Sequence, residues 1–303
     1  MENLLPLRRI SGNFLEQIEQ FKTSAIKKYT NLYQCPDKIH LDWFKALTVA
    51  LLKEELTIAV ELANKLDYEL ALFIDSKTQQ QFYRLIEQPD SESDRRGWGS
   101  YFFSTESDRQ GMVEVPHILA DRNTENIGAK AFLLARSRVF LLAGAHRHAN
   151  GCNTADVCDP PDKIFQIVHK AAVDEASLQT WQIHGFGNKP EFPIGTAAVI
   201  SNGKGGITDA IIDLDRRFSD SQLDSYVYNT LESNSPENQQ VNGEFSGDVF
   251  EPLGATKNVQ GIRNNQKKVP FIHIELSSAI RAKESERSLA ASIIAESIKA
   301  ISG

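Results

Sequence analysis

A chain of 303 residues, 41% of them hydrophobic, is long enough to bury a large core, either as one sizeable α/β domain or as two smaller ones. Its 33 Lys and Arg against 40 Asp and Glu leave a formal net charge of −7, which supplies no basic field for a phosphate backbone and sets nucleic acid aside as a partner. Three cysteines, Cys35, Cys152 and Cys158, do not make a secreted disulfide framework and fit a reducing cytoplasm; no segment reaches the roughly 18 uninterrupted apolar residues of a membrane span, nor does the N-terminus carry a long apolar export signal.

Taken in order, the first ninety residues read as mostly helical. Asn13–Lys28 carries Phe14, Ile18, Phe21 and Ile26 at mixed helical spacings, the longer run Leu41–Lys65 keeps one face apolar, Glu69–Ile74 is a first strand, and Lys77–Glu87 fits a helix with Phe82, Leu85 and Ile86 inward. This part is expected to form a helical layer or cap over residues 1–90. Residues 91–303 form an α/β core, either separate from the first part or continuous with it. Gln88–Gly97 is a polar loop, and Trp98, Tyr101, Phe102 and Phe103 return the chain to a packed region.

Met112, Val113 and Val115 read as the end of a buried strand, with a turn at Pro116 and a helix from about Thr124. His117 then sits at a strand end, where open α/β sheets gather catalytic groups. Val139–Gly144 is a second apolar strand, delivering His146, Arg147 and His148 at its end. The turn-rich stretch after it contains Asp156 and leads to a helix over Lys163–Ala172, which carries His169. In the strand Thr180–Phe186, alternation puts Gln182 and His184 on one face. Gly195–Ile200 is a further strand, Asp209–Leu231 contains a helix, and Ser233–Gly247 is a polar, exposed excursion. In Val269–Leu276, period two places His273 and Glu275 on one face, and Ser277–Ile301 is a long helix.

Two imidazoles, His117 and His184, with the Asp121 carboxylate make a donor set suited to zinc with a coordination position left open; Glu125 is the substitute acid and His146 a further substitute. Arg147, Arg122 and Arg281 are candidates for gripping a substrate carboxylate, Arg147 first because it lies inside the histidine cluster.

Five stretches carry a resemblance. PHxxxDxxTE at 116–125, AHRxANG at 145–151, ADV followed by a Phe-Gln helix, QIHGF at 182–186 and FIHIELSSAIR at 271–281 together resemble the N-formylglutamate amidohydrolase and phage poly-gamma-glutamate hydrolase group. The resemblance covers about two thirds of the chain, from about residue 98 onward. It implies a mixed, largely parallel central sheet flanked by helices, of the zinc-carboxypeptidase or phosphorylase-hydrolase type. It also implies Zn2+ as cofactor and an amide or peptide-like bond in a carboxylate-bearing small molecule, peptide or polymer as substrate. To Glu275 it assigns the proton transfers; Arg147 and His146 are added as catalytic candidates by their place in the strand-end cluster. The HxxE metal pair of carboxypeptidases is absent, since Ala120 stands where its acid would be, leaving Asp121 and Glu125 as the available carboxylates. That departure keeps two other readings open: a non-catalytic binding module with a degenerate pocket, and a structural zinc protein.

Overall fold

The computed structural model describes residues 7–106, 109–187, 192–230, 239–246 and 253–302. The chain begins with β1 (Arg8–Gly12), α1 (Phe14–Ser24), α2 (Lys38–Leu52) and α3 (Leu56–Lys65), then β2 (Tyr68–Asp75), β3 (Gln81–Glu87) and β4 (Ser100–Ser104). Next come β5 (Gly111–Val115), α4 (Thr124–Ala135), β6 (Val139–Leu142), α5 (Ile164–Ala176) and β7 (Gln179–Phe186). The last part holds β8 (Ala198–Ser201), α6 (Asp209–Asp220), β9 (Ser225–Asn229), β10 (Glu244–Ser246), α7 (Val259–Lys267), β11 (Phe271–Ser277), α8 (Ser278–Ala282) and α9 (Glu284–Ile301).

All these strands join one sheet in the order β1-β2-β3-β4-β6-β5-β7-β11-β8-β9-β10. The middle of the sheet, β6, β5, β7 and β11, is parallel, with antiparallel neighbours β4 and β8 on its two sides. Alternation along the central strands explains why helices cover both faces. Val113, Val115, Phe140, Leu142, Trp181, Ile183 and Ile274 pack against α1, α4, α6 and α9, whereas Met112, Val139 and Leu141 pack against α2, α3 and α5. On this second face the same alternation turns Glu114, Gln182, His184, His273 and Glu275 inward, so a polar seam crosses an otherwise apolar layer. The fold is therefore mixed α/β with a largely parallel central sheet between helical layers.

Several local expectations change. Lys77–Glu87 is a turn and strand β3, not a helix. Asp75 Oδ2 accepts from Thr78 N and Oγ1, Gln79 takes a left-handed φ of 63°, and the chain returns antiparallel with Phe82 opposite Phe73. Side chains in QFYRLIE thus satisfy a two-residue period better than the helical one. The run Leu41–Lys65 is broken into α2 and α3 at Glu54, whose φ is 58°. Asp209–Leu231 holds both α6 and β9, and Ser277–Ile301 divides at Lys283, which is extended at φ −98° and ψ 139°. Of the polar excursion Ser233–Gly247, residues 233–238 and 247 lie outside the described residues, and β10 occupies part of the remainder. No helix among the described residues is long and apolar enough to cross a membrane.

Candidate metal centre

Three segments meet over the carboxyl ends of the parallel strands. His117 follows β5, His184 lies near the end of β7, and His273 and Glu275 lie in β11, where the ladder sets Glu275 directly beside His184 and His273 beside Gln182. Asp121 reaches the same place because the chain after His117 makes one helical turn, with Asp121 N donating to His117 O at 2.9 Å, which brings residues 117 and 121 to one side. These groups open into a cavity of about 550 Å³, lined among others by His117, Asp121, Arg147, Asp156, His184 and Glu275.

The atoms in the centre form a small triangle. Nδ1 of His117 lies 3.2 Å from Nδ1 of His184 and 3.2 Å from Oδ2 of Asp121, and the His184 nitrogen lies 3.4 Å from the same oxygen. Ligands about 2.0–2.1 Å from a tetrahedral zinc ion stand roughly 3.3–3.4 Å apart, so the triangle has the dimensions of three ligands around one ion. The outer nitrogens have other partners. Nε2 of His117 faces Asp156 Oδ1 at 3.1 Å, and Nε2 of His184 faces Gln182 Oε1 at 2.9 Å. Both partners are acceptors, so each ring carries a hydrogen on its outer nitrogen, and in the neutral form, the one that binds a metal, each turns a lone pair inward. Two imidazole nitrogens and a carboxylate oxygen converging on one point at the cavity wall are a fit for a divalent cation. Two further triplets adjoin the first: His117 with Asp156 and Cys158, and His184 with His273 and Glu275.

Electrostatics in the cluster follow from burial and from these neighbours. Burial opposes charge on His117, yet the adjacent Asp121 carboxylate and the bond to Asp156 outweigh it and hold its pKa well above the usual histidine value. At His184 burial wins, and the charge of His117 adds to it, so the pKa is lowered; His273 is lowered further for the same reasons. Burial would raise Asp121 and Asp156, but His117 holds both well below the ordinary carboxylate range. Glu275 goes the other way, pushed up to about 8 by burial with the Asp121 charge adding to it. The Cys158 thiol is pushed up to about 11 by burial, which leaves it protonated and a poor nucleophile at neutral pH.

Other candidates from the sequence lie elsewhere. Glu125 is fully buried outside the triangle, its Oε1 accepting from Lys22 Nζ at 2.5 Å. His146 accepts from the His148 backbone through Nδ1 and does not line the cavity. His169 is sealed in the core against Glu114 at 2.7 Å. Arg122 is exposed and away from the cavity lining. Arg147 does line the cavity, with one guanidinium nitrogen 2.6 Å from Asp156 Oδ2.

Arg281 has a different position from the one its sequence context implies. Its three nitrogens donate to Leu276 O, Arg122 O and Phe186 O, at 3.1, 2.8 and 2.9 Å. Those carbonyls lie within two residues of Glu275, Asp121 and His184, so one guanidinium ties the three arms of the site together. The guanidinium rests on Gly185, where a Cβ would collide with it. Gly185→Ala is accordingly expected to cost about 1–3 kcal/mol of stability, read as a lower denaturant midpoint at unchanged slope.

Asp156 carries more than local sequence signals. It sits in a turn-rich stretch, yet its two oxygens take His117 Nε2, Cys158 N and Arg147. The signal the sequence offers for it is an acid eight residues after His148, in the turn-rich stretch that follows the histidine cluster. Asn258 and Cys158 also border the cavity and touch Gln182, contacts that no spacing in the chain announces.

No protein-family model matches the sequence, and no curated protein does. Among solved structures there is a distant, low-identity match to a protein from Burkholderia mallei described as a "putative carboxypeptidase". The identity is 15% and the TM-score 0.37, and the match covers 67% of this chain but spans only 60% of the length of that one.

Proposed function

We propose that this chain is a zinc-dependent hydrolase of the zinc-carboxypeptidase type, acting on an amide or peptide-like bond in a carboxylate-bearing substrate. The observation that supports it best is the 3.2–3.4 Å triangle of His117, His184 and Asp121 ligand atoms facing an open cavity, with the Glu275 carboxyl beside it in strand register. In this reading His117, His184 and Asp121 hold the metal, and Glu125, held by Lys22, does not substitute for Asp121. A bound zinc ion would supply Lewis acidity toward the scissile carbonyl and its attacking water.

The chain's own residues do the rest. Glu275, poised by burial to exchange protons near neutrality, takes a proton from the attacking water and returns it to the leaving nitrogen. Arg147, braced on Asp156, orients the substrate carboxylate from the cavity wall. Asp156 fixes the His117 ring, and Arg281 keeps the three arms at their spacing. A closed structural zinc site fits less well, since such sites take four protein ligands and no open face.

The test compares metal-depleted and zinc-restored protein on glutamate-containing amides and a wider peptide panel, with metal content measured alongside. Activity should vanish on depletion and return with zinc at one equivalent per chain. Zinc uptake that is unaffected by replacing both His117 and His184 with Ala would overturn the assignment of the site.

A further inference from the structure

We infer that Gln182 is a positioning residue: its side-chain amide, locked in one direction by Glu114, Gln260 and Asn258, holds His184 in the tautomer that turns Nδ1 toward the metal position. This deepens the preceding reading and rests on it for its purpose, although the tautomer itself is a property of the metal-free protein.

The locking is a matter of donors and acceptors. Gln182 is fully buried on β7, beside Glu114 of β5 and His273 of β11. Its Nε2 lies 2.9 Å from Glu114 Oε2 and 3.3 Å from Gln260 Oε1. A carboxylate accepts only, so the NH2 end of Gln182 must point to Glu114. The Gln260 amide is itself oriented, because its Nε2 donates to the Val157 carbonyl at 2.8 Å and leaves its oxygen for Gln182. Asn258 adds a third constraint from the other side. Its Oδ1 caps α7 by accepting from Gln260 N and Gly261 N, both at 3.0 Å, so its Nδ2 is the atom that meets Gln182 Oε1 at 2.6 Å.

Each neighbour therefore demands the same orientation, with Gln182 Oε1 facing His184 Nε2 at 2.9 Å. An amide oxygen accepts, hence His184 carries its hydrogen on Nε2 and leaves a lone pair on Nδ1. Glu114 is held in turn by His169 Nδ1 at 2.7 Å, so the orientation is anchored in the core and not at the cavity. Reversal of the Gln182 amide would present NH2 to His184, move the hydrogen to Nδ1 and point it into the triangle.

Long-range proton–nitrogen NMR of histidine-labelled, metal-free protein at pH 8 reads the tautomer directly. The parent should show His184 as the Nε2–H form; the Nδ1–H form in the parent would overturn the inference outright. Gln182→Met, which removes the acceptor, should give a mixture of tautomers and weaken zinc binding about 10- to 100-fold in chelator competition. Because Gln182→Met strips a buried carboxylate of a partner and can fail to fold, Glu114→Gln combined with Asn258→Asp is the second variant. It keeps the α7 cap and the acceptor for His169, but sets a donor where Glu114 accepted and an acceptor where Asn258 donated, so both demands on the Gln182 amide are reversed and His184 should shift toward Nδ1–H with a similar loss of zinc affinity. An unchanged His184 signal in the folded double variant would also overturn the inference. If the parent shows the Nε2–H form yet takes up no zinc at the triangle, the positioning stands and the hydrolase reading fails.

Discussion

Replacing Glu275 with Gln is expected to lower kcat by about 10²- to 10⁴-fold while leaving the fold and the metal content of the parent. The side chain is 10% exposed, and its carboxyl has been pushed up to about 8 chiefly by burial and secondarily by the charge of Asp121. An amide of the same shape removes that repulsion and the proton transfers with it. Stability should hold or rise slightly, so loss of activity cannot be ascribed to unfolding. The sign of the pH dependence follows from the role: a base works deprotonated, so kcat/KM rises with pH through the pKa of Glu275. A bound dication beside it favours the carboxylate, which sets that limb below 8 in the loaded protein. Measured rates for Glu275→Gln within a few-fold of the parent, with zinc retained, would remove Glu275 from the chemistry.

Zinc affinity is expected to climb about tenfold per pH unit wherever His117 still holds its second proton, for one proton released per metal bound. The raised pKa of His117 comes from Asp121 and Asp156 overcoming burial, so this window reaches above the ordinary histidine value of about 6.5. Metal and proton compete for the same lone pair. The metal-free protein should show the converse in its stability. A folded pKa raised above the unfolded one means that the contribution of His117 is fully present below about 6.5 and is lost as pH rises through the folded value. Asp121 and Asp156 are lowered instead, so theirs is present above about 3.9 and is lost as pH falls toward their folded values. Chelator competition at pH 6, 7 and 8, with thermal melts of the metal-free form, reads both effects. A flat affinity profile would mean that no titrating histidine is displaced.

How much of this was written in the chain depends on the kind of information. Alternation in QIHG and FIHIE is local, and the ladder between β7 and β11 does carry Gln182, His184, His273 and Glu275 on one face. The strand of residues 139–142 and the helices near 124 and 163 were equally local, since apolar period and flanking turn residues fix them. Lys77–Glu87 reads as a helix because Phe82, Leu85 and Ile86 satisfy a helical spacing, and only pairing with Tyr68–Asp75 decides for a strand. What the sequence could not display is convergence. Asp156 lies 39 residues from His117, and Asn258 lies 76 from Gln182, separations over which no periodicity links one side chain to another. Arg281 shows the limit of residue type as a guide. It looked available for a substrate carboxylate, but backbone carbonyls take its donors.

His184 and Glu275 stand in the hydrogen-bonded body of neighbouring strands, whereas the rim of the cavity from Leu253 to Asn258 is loop and helix cap. Mutation therefore acts on two unequal parts. Deleting one residue within β11 ahead of Glu275 would carry its carboxyl to the opposite face of the sheet, so the chemistry tolerates almost no change in length there. Lengthening or shortening residues 253–257 alters the space over the site, provided that Asn258 keeps its bond to Gln182. Over evolutionary time, and in directed libraries, a chain with the proposed activity would be free to exchange one acid for a larger or smaller one by recutting residues 253–257, while the spacing between histidine and glutamate is inherited intact.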